Sequence, residues 1–428
     1  MRLKIEIEKL FLIILVISLV SLSATLVTPI SDNYIYYSAA KYILKDPSIL
    51  FRTNLTGFPS MFFGNYTTFI YPPLIYLSYA FLFLLNFTPN ILDIISIIIV
   101  CYFLYRMDEK AVPFMFLSFM FLRVAVQGGT DIFLLALATA AFYFYDRRPE
   151  VAAILAGLTT LVKSSGLFFF GAYIISLLIF KRKDIFTKDF YKNKYFRAIL
   201  ISLLIPFPWY ALNFVKNNGD IIGTIAGAKL SDVMQTNSRL QSSVQAAQPE
   251  RVWFDTSGVY PLPIDLLFYI GILFTLINLF KTRKFEKEHV FIFLFILIYA
   301  AVQAISFNLL MTIRYYLPIF PLLAIQIANG IPKKYVKFAY IACLVLLIFF
   351  LLSLPKYAFN QMDTSIGPAC SQVKENIDFQ PVYVIAYQSW YAIYKCDLNA
   401  TTEIDSKWTL NFDQGQLYLT NKTNTTSK

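Results

Sequence analysis

Five ionisable residues call for an account in a chain this apolar: Asp32, Arg123, Asp131, Lys163 and Arg314. An ionised side chain at the centre of a membrane span costs about 2.5–3.5 kcal/mol, so it is kept where it has a partner or a task. A carboxylate beside an aromatic segment, Asp32 in "SDNYIYYSAAKYIL", suits a general base for an acceptor hydroxyl. Recessed Lys and Arg suit a phosphate whose negative charge develops as it leaves. Plainer uses stand beside these. Asp32 fits an N-cap of the helix that follows it, and Asp131 fits a cap after the "GGT" turn. Arg314 fits a snorkelling interface residue, and Arg123 fits a structural ion bridge to Asp131. Lys163 has no acidic neighbour in sequence and needs a partner from elsewhere. His289 abuts the "KTRKFEKEH" cluster and is not read as catalytic.

The elements that must position these residues are membrane helices. The chain is 57% hydrophobic, 18% aromatic and 15% charged, against about 25% charged in soluble domains. Apolar runs recur from Leu10 to Leu354, which predicts an all-α polytopic membrane protein. The net charge of +11 lies in short loops, where it sets orientation and makes no nucleic-acid patch. Placing every basic cluster in the cytoplasm gives spans at 10–27, 91–105, 111–127 and 131–145. Later spans follow near 198–214, 262–280, 290–307, 317–331 and 336–354. The first is read as a retained span, since no cleavage site follows it.

Two stretches test that scheme. "YPPLIYLSYAFLFLLNF" would invert every later cluster if it crossed, so it is read as an interfacial helix. "VAAILAGLTTLVKSSGLFFFGAYIISLLIF" has basic clusters on both sides and must be a hairpin turning at "KSSG". Its arms reach roughly 20 Å at 1.5 Å per residue, short of a hydrocarbon core of about 30 Å. The tip carrying Lys163 is therefore expected inside the bundle, below the outer surface.

The count is about eleven spans, with the N-terminus cytoplasmic and the C-terminus outside. Residues 1–355 form the membrane domain, with a first outer loop at 30–90 and a long outer loop at 215–262. Residues 356–428 are expected as a small extracytoplasmic α/β domain with a disordered end, "PVYVIAYQSWYAIYKC" alternating like a strand. Cys370 and Cys396 lie there, bridged or free; Cys101 and Cys343 read as apolar filler. Asn-x-Thr sequons begin at Asn54, Asn65, Asn86, Asn399, Asn421 and Asn424, all on the outer side. On this topology Asp32, Asp131, Lys163 and Arg314 share one membrane depth, with Arg123 about two turns deeper. Tyr36, Tyr37, Tyr71 and Tyr315 are the aromatic groups expected to bind sugar or acceptor. No Gly-rich phosphate loop or Rossmann pattern is present, so a lipid-linked donor is more natural than a nucleotide sugar.

In order along the chain come "YIYYSAAKYIL", "FIYPPLIYL", "GGTDIFLLALATAAFYFY", "GLTTLVKSSGLF", "PFPWYALNFVKNNGD" and "RYYLPIFPLLAI". Over roughly residues 10–335 this resembles the C-type membrane glycosyltransferases, which use polyprenyl- or dolichyl-phosphate sugars. It is similar to the protein O-mannosyltransferases and lipid A aminoarabinose transferases among them. The resemblance implies Asp32 as catalytic base, Asp131 as the acid of the second loop, and Lys163 and Arg314 near the lipid phosphate. It implies a hexosyltransferase, with mannose the family-weighted sugar, acting on a glycan, lipid or protein acceptor. Relatives often carry Asp-Glu where this chain has Asp32-Asn33, and a single carboxylate is a poor divalent site. No metal ligands or other cofactor are assigned. "WWDYG" and Asp-x-Asp are missing, which disfavours transfer of a whole oligosaccharide. The rival classes are a lipid-linked sugar flippase or transporter, and a non-catalytic envelope scaffold.

Overall fold

The computed structural model describes residues 17, 19–20, 31–53, 71–185, 190–219, 265–305, 313–358, 382–384, 400–401, 408–413 and 416–421. Side chains of 31–35, 127, 302–305, 313–314 and 350–358, and those of the strands, lie outside the description. Apart from residues 17, 19 and 20, the expected first span falls outside the described residues, as do Cys370, Cys396 and the sequon residues Asn54, Asn65, Asn399 and Asn424.

The described chain is mostly helical. The helices are α1 Ser31–Lys45, α2 Leu74–Leu84, α3 Asn90–Met107, α4 Phe119–Gln127, α5 Thr130–Phe144, α6 Pro149–Val162 and α7 Gly166–Phe180. There follow α8 Lys194–Leu204, α9 Phe207–Lys216, α10 Leu266–Thr282, α11 Lys287–Ile305, α12 Phe320–Gly330 and α13 Val336–Ala358. Among the described residues two helices are long and apolar enough to cross a membrane: α3, and α8 with α9 as one run of 23 residues. At 11 residues α2 is about 17 Å long and does not reach across about 30 Å.

The chain divides into two compact units. One comprises Leu26–Ile91, Tyr210–Leu230 and Lys356–Lys428. In it α1 packs on α2 through edge-to-face rings, Tyr37 on Tyr79 at 4.8 Å and Tyr36 on Tyr76 at 5.5 Å. Small residues Ala39 and Ala40, both buried, let the helices approach. Asp46 accepts from Ser48 N–H at 3.1 Å, caps the 3₁₀ turn Pro47–Leu50 and pairs with Arg52. Lys216 Nζ donates to the Leu50 carbonyl at 2.8 Å, which fixes the end of that turn. The backbone of β1 Val382–Val384, β2 Ala400–Thr401, β3 Trp408–Asp413 and β4 Gln416–Asn421 forms one sheet in the order β2-β1-β3-β4. Strand β1 is parallel to β2 and β3, while β3 and β4 form an antiparallel pair with Trp408 opposite Asn421.

The other unit comprises Met1–Thr25, Leu92–Trp209 and Ser231–Pro355. Helix α5 is its centre, since Thr130–Leu137 are buried at all positions but Phe133. Helix α6 packs on α5, α7 and α8, α11 packs on α7, and α12 packs on α10. The expected hairpin turning at "KSSG" is present: α6 has 14 residues, α7 has 15, and only Lys163–Ser165 separate them. The two arms cross so closely that a Cβ on Gly166 would lie 2.0 Å from the Thr159 carbonyl oxygen.

The stretch read as one span over 111–127 differs. It forms a 3₁₀ segment, Glu109–Leu117, with Pro113 inside it, then an extended Ser118, then the nine-residue α4. Ser118 is the breaking point because its hydroxyl is used twice. It accepts from Phe121 N–H at 2.9 Å and donates to Asp265 at 2.6 Å. Asp265 also accepts from Met120 and Phe268 N–H, so one carboxylate caps α10 and anchors the start of α4. Helices α4 and α5 then meet at 112° rather than as an antiparallel pair.

Candidate functional site

The bend between α4 and α5 is made by Gly128 (φ 71°, ψ −165°) and Gly129 (φ 100°, ψ −158°). That backbone region belongs almost solely to glycine. Gly129 is the N-cap of α5 and has no side chain to cap it. The missing acceptor comes from α3, where buried Asp93 takes the Gly129 N–H on Oδ1 at 2.9 Å. Its other oxygen fills the place of a Gly128 side chain: a Cβ there would lie 2.0 Å from Asp93 Oδ2. The carboxylate and the diglycine thus fit as one piece and set where α5 begins.

Asp131 is in the first turn of α5, where the helix dipole favours an anion. Lys163 Nζ donates to Asp131 Oδ1 at 2.7 Å; the two side chains are 15% and 8% exposed respectively. The lysine is the C-cap of α6 with an extended backbone (φ −156°, ψ 147°), which aims it away from its own helix. Its ammonium also stands 5.0 Å from the centre of the Tyr315 ring, on the 3₁₀ segment Ile313–Ile319 that packs against α4 and α5. The cation–ring contact and the ion pair are the kinds of partner an ammonium needs in an apolar setting. Two residues on, Ser165 is buried and its hydroxyl has no hydrogen-bond partner among the described residues.

Asp131, Lys163 and Tyr315 therefore meet. Sequence proximity offered Arg123 to Asp131; the ion pair found here is with Lys163, thirty-two positions along. Arg123 is half-buried on α4, one element before the bend. Arg314 precedes Tyr315 on the segment that packs on α5, with its side chain outside the described residues. Asp32 belongs to the other compact unit, in the first turn of α1, and its side chain also lies outside the described residues. Tyr36 and Tyr71 are half-buried. Tyr37 is 2% exposed against Tyr79, so in place of the expected sugar platform it is a packing residue of α1 on α2.

Sequence reasoning passed over Asp93 and Asp265. Asp265 carried a legible signal, a carboxylate just ahead of the apolar run "LLFYIGILF". Asp93 carried only its cost, a lone acid in "NILDIISIIIV".

At the opposite end of α5, Asp146 pairs with Lys181 at 2.9 Å and Lys287 at 2.5 Å. Burial there acts to raise the Asp146 carboxyl, but hydrogen bonds from Lys287 and Lys181 outweigh it and hold it below the ordinary value. Between this cluster and Lys163 runs an aromatic file. Lys287, Phe291, Phe295 and Tyr299 recur every fourth residue of α11 and so share a face. Phe142 and Phe169 pack on Phe291 at 5.4 and 5.1 Å, and Tyr316 lies 6.3 Å from Phe295 and 4.7 Å from Tyr299. Tyr299 in turn is 5.9 Å from Tyr315, beneath Lys163.

A largely buried cation paired with a carboxylate is suited to binding an anion and to stabilising charge that develops on it. No group of three or more His, Cys, Asp or Glu among the described residues could hold a metal ion. No family model matches the sequence, and no curated protein matches it either.

Proposed function

We propose that this chain is an integral-membrane glycosyltransferase of the C type that moves one sugar from a polyprenyl-phosphate donor to an acceptor outside the cytoplasm. The proposal includes about eleven spans with a cytoplasmic N-terminus, and residues 356–428 as an outer α/β domain. The observation that carries it is the Lys163–Asp131 pair at the hairpin tip beside Tyr315. A largely buried ammonium on a turn between two helices too short to cross a bilayer is proposed to serve a phosphate rather than packing.

In the proposed reaction Asp32 takes the proton of the acceptor hydroxyl. The oxygen attacks the anomeric carbon from the face opposite the phosphate, forming the new C–O bond as the bond to phosphate breaks. The configuration inverts, and the lipid phosphate leaves with the electron pair, its charge met by Lys163, Arg314 and Arg123. The half-buried Tyr36, Tyr71 and Tyr315 are proposed to face sugar or acceptor.

A flippase would need polar groups along a path between the faces. Among the described residues the ground between Lys163 and Lys287 is instead filled by Phe142, Phe169, Phe291, Phe295, Tyr299 and Tyr316. The test is transfer from a labelled polyprenyl-phosphate sugar in reconstituted vesicles. Folded Asp32→Asn protein should lose at least about a hundredfold in turnover, the lower range for positioned proton transfer. Near-normal turnover in that variant removes Asp32 from the reaction. Lipid translocated with no sugar transferred would make the chain a flippase.

A further inference from the structure

The carboxylate found on Lys163 has a consequence for how an anionic ligand enters. Resting on the transferase reading above, we propose that Asp131 is a resident counter-ion that a phosphate ester must displace from Lys163 in order to bind. The carboxylate occupies the position that a phosphate oxygen would take, 2.7 Å from Nζ.

Three features of the α6–α7 turn favour an anion at that position. Lys163 supplies the charge. Ser165, two residues later, holds a buried hydroxyl without a partner among the described residues. The 15-residue α7 begins immediately afterwards, and its first turn contains no acidic side chain to neutralise the positive end of the helix. Asp131 comes from a different helix, so it can be exchanged without disturbing the turn. Once released it still sits in the first turn of α5, where the helix dipole stabilises its charge. The exchange is therefore between two anions for one ammonium, and the released carboxylate keeps the helix dipole as partial compensation for the partner it gives up. With Asp131 neutralised, an incoming phosphate no longer competes with that carboxylate.

This gives a sign opposite to that of an orienting group, whose removal would weaken binding. The experiment measures binding of radiolabelled undecaprenyl phosphate to the full chain in nanodiscs, without any transfer reaction. A parallel arm with inorganic phosphate separates a lipid-borne ester from the free ion. Asp131→Asn should bind undecaprenyl phosphate about tenfold or more tightly than the parent, the effect of deleting one like charge at contact distance. Lys163→Ala should lose binding, and the double variant should stay as weak as Lys163→Ala, because the gain acts through the lysine. Asp131→Glu, which keeps the competitor, should stay near the parent. If Asp131→Asn does not fold, Asp131→Ser provides the same neutral test.

Equal or weaker binding by the neutral variant, in a parent that does bind, overturns the counter-ion role and leaves the transferase reading standing. A parent and variants that all ignore undecaprenyl phosphate overturn the donor assignment beneath it. Tightening seen only with inorganic phosphate identifies a free-ion site and also overturns the proposal.

Discussion

Gly128→Ala is the sharpest probe of how α5 is set. The backbone at φ 71°, ψ −165° is costly for any residue with a Cβ, by about 1–3 kcal/mol. The new methyl would lie 2.0 Å from Asp93 Oδ2 and 2.4 Å from its Cγ, so the carboxylate must withdraw. Its hydrogen bond from Gly129 N–H then goes, and a buried donor left without its acceptor costs about 1–3 kcal/mol. The expected loss is roughly 2–6 kcal/mol. Asp93→Ala removes the same bond without the strain and should cost roughly 1–3 kcal/mol. In the double variant the bond is lost once, not twice, so the two single costs should exceed the double by about 2 kcal/mol. Chemical unfolding of detergent-solubilised protein gives the cycle, and hydrogen exchange over residues 127–135 locates the change. Additive single effects, or a Gly128→Ala protein as stable as the parent, would refute the fit of carboxylate to diglycine.

Two further predictions concern other junctions. Asp265→Ala leaves the Ser118 hydroxyl and Met120 N–H without their acceptor and uncaps α10. It should cost about 2–4 kcal/mol in the same unfolding assay, with Asp265→Asn much closer to the parent. The Asp146 carboxyl is held below its ordinary value, so its contribution is present above the unfolded pKa of about 4 and lost as pH falls through the folded value. Lys181 is raised by Asp146 against the opposing effect of burial, so its share is lost only as pH climbs past about 10. Melting temperatures between pH 3 and 7 should fall more steeply on the acid side for the parent than for Asp146→Asn; parallel curves would show the cluster contributes nothing.

What could be read in advance followed from local lengths and from the order of the basic clusters. The hairpin tip at Lys163 came from two apolar arms too short to cross and flanked by basic residues, and both arms appear at 14 and 15 residues. The reading of 71–87 as a helix that does not cross came from the order of the basic clusters, and α2 at 11 residues is compatible with it. The misses were contacts between positions far apart in the chain. Nothing local in "NILDIISIIIV" tells that Asp93 will meet a backbone N–H at position 129. Residues 111–127 read as one apolar run around Arg123, yet Ser118 breaks it because of Asp265, 147 positions later. Lys163 was known to need an acid, but sequence distance offered Asp131 to Arg123 first. Tyr37 was misread because helical spacing gives a buried ring and an exposed one the same letter.

From Lys287 to Tyr299 the file along α11 covers twelve helical steps, about 18 Å. In a bilayer, much of any voltage drop would fall across this stretch. Carrying one elementary charge through it would take work of about 2.3 kcal/mol per 100 mV before any cost of dehydration. Apart from the hydroxyls of Tyr299 and Tyr316, the rings of this file carry no polar group, so it offers an ion little along its length and separates Lys163 from the Asp146, Lys181 and Lys287 cluster.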